Sequence, residues 1–119
     1  MNERDKFLIA ENCEKIHIRD HGRCWKCGCP STEVAHMLAQ SKEWKIIAGR
    51  AYIRRFKAEW RTTADIIKYG EKVIHHPLAL RASCSAHNSA AMIGVKGQVA
   101  YRLIQKILDE LDPTCGILY

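Results

Sequence analysis

Two short pairs, Cys24-Trp-Lys-Cys27 and Cys84-Ser-Ala-His87, hold the chemistry most easily named in this 119-residue chain. Each pair sets two soft ligands across a tight turn or a helix start, and two such pairs make the Cys₃His set that a tetrahedral zinc ion takes. A shared ion would staple residues 24 to 27 against 84 to 87. His36 on one side, and His75, His76, Ala79 and Asn88 on the other, would then share one small site. Gly28 follows the second cysteine, where a metal-binding turn often needs positive φ. Cys29 makes the run Cys-x-x-Cys-x-Cys and could replace Cys27, while His21, three residues before Cys24, could compete for the ion. Cys13 and Cys115 read as packing residues or residues without a role, and His17 as structural or exposed.

Composition sets the frame for that chemistry. The length suits one domain, residues 1 to 119, with one modest core. A hydrophobic fraction of 47% with 27% charged residues is that of an ordinary soluble globular protein, and no apolar run is long enough to cross a bilayer. Met1-Asn-Glu-Arg-Asp-Lys has mixed charge and leads into a helical pattern, which argues against a secretion leader and for the cytoplasm. In a reducing compartment, paired cysteines point to metal more than to disulfides. The net charge of +6 is concentrated in residues 41 to 61, where Lys42, Lys45, Arg50, Arg54, Arg55, Lys57 and Arg61 face only Glu43 and Glu59. Such a patch suits a phosphate backbone. Arg50, Arg54, Arg55, Lys57 and Arg61 are the candidate nucleic-acid contacts, mostly to phosphate and largely independent of base sequence.

The elements that must position these residues can be read from periodicity. Ile9, Cys13 and Ile16, with Phe7 and Leu8 nearby, predict an amphipathic helix from about Glu3 to His17, broken by Asp20-His-Gly22. Glu33 to Leu38 reads as a strand. Trp44, Ala48, Tyr52, Phe56 and Trp60 recur every fourth residue and predict a helix from Ser41 to about Arg61, with Gly49 as a weak point. That aromatic stripe reads as core or as the interface of a homodimer. Thr62-Thr-Ala-Asp65 has capping-box spacing, so a short helix should run to Tyr69 and stop at Gly70. Val73 to Leu80 reads as a second strand interrupted by Pro77, followed by a helix from about Ala86 to Met92. Ala100, Leu103, Ile104, Ile107, Leu108 and Leu111 form the seam of a C-terminal helix over about 97 to 111.

Arg23-Cys-Trp-Lys-Cys-Gly28, Ala35-His36, His76-Pro-Leu-Ala-Leu80 and Cys84-Ser-Ala-His87-Asn88 together resemble the zinc-stapled form of the HNH (His-Asn-His, ββα-metal) endonucleases. The resemblance spans roughly residues 19 to 95, apart from the inserted 41 to 70. It implies a ββα-metal core over about 19 to 40 and 71 to 95, with His36 at the end of the first strand as general base. It also implies that Asn88 is a ligand to a catalytic Mg²⁺-like cation and that Cys24, Cys27, Cys84 and His87 hold structural Zn²⁺. The family's central Asn, five residues before the first cysteine of the second pair, falls on Ala79. Every flanking residue fits, so Ala79 reads as an Asn→Ala replacement, deliberate or naturally acquired. Ala35 likewise stands where many members place an Asp or His metal ligand.

The residue types fit such a reaction on physical grounds as well. Phosphodiester hydrolysis needs water deprotonated near neutral pH, which imidazole can do, and a cation to offset charge on the phosphoryl oxygens. Ala79 cannot orient His36 through its side chain, so weak or absent cleavage is expected. The sequence therefore predicts a small α+β, zinc-stapled ββα-metal (His-Me finger) protein with long flanking helices and an inserted basic helical segment, acting as a metal-dependent DNA endonuclease impaired at Ala79. The alternative is a catalytically silent zinc module that binds DNA or protein.

Overall fold

Two glycines decide how the helical part of the molecule packs. In this computed structural model, which describes residues 10–88 and 97–112, helix α2 spans Lys42–Phe56 and helix α3 spans Thr63–Ile74. They cross where Gly49 meets Ile66 and Gly70 meets Lys45. A Cβ on Gly49 would lie 1.9 Å from the Ile66 carbonyl oxygen, and one on Gly70 would lie 1.8 Å from that of Lys45. The glycines therefore admit backbone-to-backbone contact. Gly49 does not interrupt its helix, and Gly70 does not end one: α3 runs through it to Ile74.

The helix starts follow local side-chain chemistry. Ser41 caps α2 by accepting from the Trp44 N–H, and the helix closes at Phe56 with Lys57 in the left-handed region at φ 50°, short of the predicted Arg61. Thr62 and Asp65 form the predicted capping box at the start of α3. The predicted strand over Val73 to Leu80 is overturned. Val73 and Ile74 lie on the buried face of α3, Pro77–Ala79 is a 3-10 turn capped by the His76 side chain, and strand β2 begins at Leu80.

Strand β1, Glu33–His36, shorter than the predicted 33 to 38, pairs antiparallel with β2, Leu80–Ser83. The register sets Glu33 opposite Ser83 and His36 opposite Leu80. Helix α1 is described from Ala10 to Arg19, two residues beyond the predicted end, while residues 3 to 9 of that prediction lie outside the described residues, as does Cys115. It lies on the hairpin through Ile16, which joins Leu80, Ala82 and Val34 in a small apolar cluster. Asp20, just past α1, accepts a 2.8 Å hydrogen bond from the Ala82 N–H.

The main core lies among α2, α3 and helix α4, Gly97–Leu111, which matches the predicted C-terminal seam. Leu38, Ala48, Val73, Ile74, Ala79, Ala100, Ile104, Ile107 and Leu108 are buried there, flanked by Trp44, Tyr52 and Phe56. The aromatic stripe is thus core up to Phe56, and Trp60 falls outside it. From the segment read as an insertion, Ala48 is buried in this core, and Trp44, Ile47, Ala51, Tyr52 and Phe56 pack against it partly buried. Among the described residues the fold is α+β: four α-helices and one two-stranded antiparallel sheet. None of the helices is long and apolar enough to cross a membrane.

Candidate metal centre

The first ligand pair sits on a knuckle closed by its own backbone. The Cys24 N–H donates to the Cys29 carbonyl at 2.7 Å, the Gly28 N–H donates to the Cys24 carbonyl at 3.0 Å, and Arg23 and Pro30 bridge its base. Gly28 takes φ 74°, the left-handed turn foreseen for it. The second pair follows β2 directly. Cys84 leads into a 3-10 turn, Ser85–His87, in place of the start of the predicted helix; residues 89 to 92 of that helix lie outside the described residues. The hairpin carries the two pairs to the same end of the sheet.

The four ligand atoms of Cys24, Cys27, Cys84 and His87 lie within 4.8 Å of one another. Cys27 Sγ is 3.7 Å from Cys84 Sγ, and His87 Nδ1 is 3.7 Å from Cys24 Sγ and 3.2 Å from Cys84 Sγ. With Zn–S near 2.3 Å and Zn–N near 2.0 Å, ideal tetrahedral geometry places sulfurs about 3.8 Å apart and sulfur and nitrogen about 3.5 Å apart. The donors therefore already stand at the spacing such an ion requires, and far beyond disulfide length. Exposed Cys29 and His21 are not in the set.

The thiols differ in acidity. Burial pushes the Cys24 thiol up, but the backbone N–H groups of Cys27, Cys84 and Lys26 and the His87 ring outweigh it and bring it down to about 5. The Cys29 N–H draws Cys27 down, yet burial and the sulfurs of Cys29 and Cys24 hold its thiol above the ordinary value. Burial and the neighbouring sulfurs of Cys27 and Cys24 also raise Cys84. One thiolate forms readily and its crowded neighbours resist a second negative charge, a conflict that a divalent cation among them relieves.

His36 sits at the other end of β1, buried. Its Nε2 is 2.8 Å from His75 Nδ1, with the rings edge to face at 86°, and Gln40 Nε2 is 3.2 Å from its Nδ1. With the Gln40 amide donating to Nδ1, the His36 proton lies on Nε2 and is donated to His75. His75 thus fixes tautomer and ring orientation. Ala79 is adjacent, its carbonyl accepting from the Met37 N–H at 2.7 Å, but its side chain is buried in the apolar core.

Asn88 donates to Glu33 Oε1 at 3.0 Å. Glu33 lies three residues before His36, about 10 Å along the strand, and strand alternation turns the two to opposite faces. The fold thus assembles the metal quartet, while Asn88 meets Glu33, at the far end of β1 from His36. Of the basic candidates, Arg50, Arg54, Lys57 and Arg61 lie toward solvent, whereas Arg55 is committed to Asp109 at 2.8 Å and Asp112 at 3.5 Å on the α4 side.

Glu33 is a contributor not foreseen as a site residue, its position at the start of β1 being the only signal. His75 and His76 were both expected beside the site, and it is His75 that meets His36. Searches against protein-family models, curated proteins and solved structures gave no match.

Proposed function

We propose that this chain is a zinc-stapled protein of the HNH endonuclease type that binds DNA and cleaves phosphodiester bonds weakly or not at all. The carrying observation is the placement of a Cys₃His quartet at one end of an antiparallel hairpin and an oriented, buried imidazole at the other. That is the layout expected of the two strands of a ββα-metal core. His36 is the base in this reading, acting through Nδ1 once Gln40 gives way to water, while His75 holds the proton on Nε2. Asn88 and the Glu33 carboxylate form the oxygen-rich corner suited to a hard cation such as Mg²⁺, which when bound would offset charge on the phosphoryl oxygens. Arg50, Arg54, Lys57 and Arg61 meet DNA phosphates.

The impairment has two sources in the geometry. The Ala79 methyl is part of the apolar core, and His36 stands about 10 Å along β1 from the Asn88 corner, where a working site would need base and cation on one phosphate. The same two observations favour a second reading, a catalytically silent DNA-binding module.

Plasmid nicking with Mg²⁺ separates these readings. The unaltered chain should nick little. Nicking gained by Ala79→Asn and lost again on adding His36→Ala supports the nuclease, whereas DNA binding without nicking in either form supports the silent module. Replacing Arg50, Arg54, Lys57 and Arg61 by Gln should flatten the salt dependence of duplex binding by roughly 0.9 in slope per lost phosphate contact. A chain that neither nicks nor retains DNA removes both readings.

A further inference from the structure

Trp60 lies outside the core that takes the rest of its aromatic stripe. It is 52% exposed, in the segment between α2 and α3, and lines an open groove of about 510 Å³ with Glu59, Arg61, Asp65, Lys68, Tyr69 and Lys72. The backbone beneath it is fixed. The Tyr69 hydroxyl donates to the Glu59 carbonyl at 2.8 Å while its ring stacks on Tyr52 at 4.9 Å. The N–H groups of Arg61 and Thr62 both donate to one Asp65 carboxylate oxygen, at 2.9 and 3.1 Å. Between two anchored points, the indole is held out toward water, which is unfavourable for so large an apolar ring unless something covers it.

The groove's charges say what would cover it. Lys68 and Lys72 are one helical turn apart on α3 and Arg61 adjoins Trp60, so three cations follow the groove from the indole along the helix. Two carboxylates oppose them: Glu59, and Asp65, which the Arg61 and Thr62 N–H groups keep ionised by holding its carboxyl below the usual range, so the cations outnumber the anions by three to two. An exposed aromatic face followed by a row of cations is the arrangement by which proteins hold unpaired nucleic acid, with bases stacked on the ring and phosphates on the cations. A duplex offers no free base face in mid-strand, so it gains only the phosphate contacts.

We propose that this groove is a binding site for single-stranded nucleic acid, with one base stacked on Trp60 and the adjoining phosphates on Arg61, Lys68 and Lys72. It shares only Arg61 with the duplex contacts above and stands whether or not the chain cleaves anything.

The test uses the full chain with its metal and a fluorescently labelled short oligothymidylate, read by anisotropy, with a duplex of equal length alongside. Trp60→Ala should weaken oligothymidylate binding about tenfold and leave duplex binding nearly unchanged. Trp60→Phe, which keeps an aromatic face, should recover most of the loss. Lys68→Gln with Lys72→Gln should reduce the slope of log affinity against log salt by about 1.4, and Glu59→Gln should tighten binding. Failure of the unaltered chain to bind the single strand, or equal binding by the Trp60→Ala variant, overturns the proposal. All these positions lie at the surface or in the open groove, and circular dichroism checks that the variants remain folded. Absence of nicking by the Ala79→Asn chain with these effects intact would count against the endonuclease reading alone.

Discussion

The two halves of this molecule are held by different forces. Among the described residues, nine buried side chains form a continuous apolar core around α2, α3 and α4, and the crossing at Gly49 and Gly70 brings backbones into direct contact. Around the hairpin the buried apolar cluster is Ile16, Leu80 and Ala82, with Val34 beside it. Among the described residues this cluster is the smaller of the two, each side chain contributing roughly 1.5–3 kcal/mol on burial against the ordering cost of a knuckle, two strands and a 3-10 turn. The Cys₃His quartet at the open end could hold a metal ion. The comparison to test is therefore between a core closed by packing and a ribbon whose order a bound ion would support.

Removing the metal should break that comparison most visibly. Structural zinc sites in small domains bind with roughly 10–16 kcal/mol of apparent free energy, at least as much as the hairpin cluster provides. Chelation, or Cys84→Ser, should therefore expose the backbone amides of residues 23 to 36 and 80 to 87 to hydrogen exchange. Amides of α3 and α4 should stay protected. Metal analysis of the untreated protein should find one zinc per chain. Uniform loss of protection over both halves would show that they fold as a unit, and unchanged protection of the hairpin would remove the metal from its stability.

The helical half is sensitive to the reverse perturbation. Gly49→Ala puts a methyl at 1.9 Å from a carbonyl oxygen on the facing helix, and Gly70→Ala does so at 1.8 Å, so α2 and α3 must separate. Overpacking of this kind costs about 3 kcal/mol or more, against total stabilities of about 5–15. Either variant should lower the denaturation midpoint of the helical transition while leaving zinc stoichiometry unchanged. If Gly49→Ala raised stability, as helix propensity alone would suggest, the close crossing would be refuted.

These two glycines also show where sequence reading stops. A glycine in a helical pattern reads as a weak point or an end because propensity is a local property, whereas the close approach that requires it belongs to a partner 17 to 25 residues away. Val73 and Ile74 mislead for a related reason: two β-branched residues are compatible with a strand or with the buried face of a helix, and the tertiary contact chose. The metal quartet was legible because ligand spacing is itself local, two Cys-x-x pairs and a glycine. The capping box at Thr62 and the seam of α4 were legible for the same reason. Glu33 was not, and for His75 only its nearness to the site was, since each acquires its partner, Asn88 or His36, through the fold. Arg55 reads as one cation among five, and only the structure ties it to Asp109 and Asp112.

The smallest effect sharpens the contrast at the seam between α1 and the hairpin. Asp20 is pinned there, accepting from the Ala82 N–H at 2.8 Å and pairing with Arg19 at 2.9 Å. Partial burial pushes its carboxyl up, but Arg19 and the Ala82 N–H prevail and hold it below its ordinary value of 3.8. A carboxyl depressed in the folded state stabilises fully at pH values above that unfolded value, and its contribution disappears as pH falls through the lower folded value. Acidification below about 4 should thus release α1 from the hairpin before carboxyl-independent packing in the helical core responds. Asp20→Asn keeps an acceptor for the Ala82 N–H but loses the charge that faces Arg19, so it should cost at most roughly 1 kcal/mol at neutral pH and should flatten the acid limb of the hairpin transition. Denaturation followed by Trp25, whose backbone N–H donates to the Ala82 carbonyl at 2.9 Å, reads that junction directly. An acid limb of equal steepness in the Asp20→Asn variant would mean that the pH dependence lies elsewhere and that Asp20 is only a surface partner of Arg19.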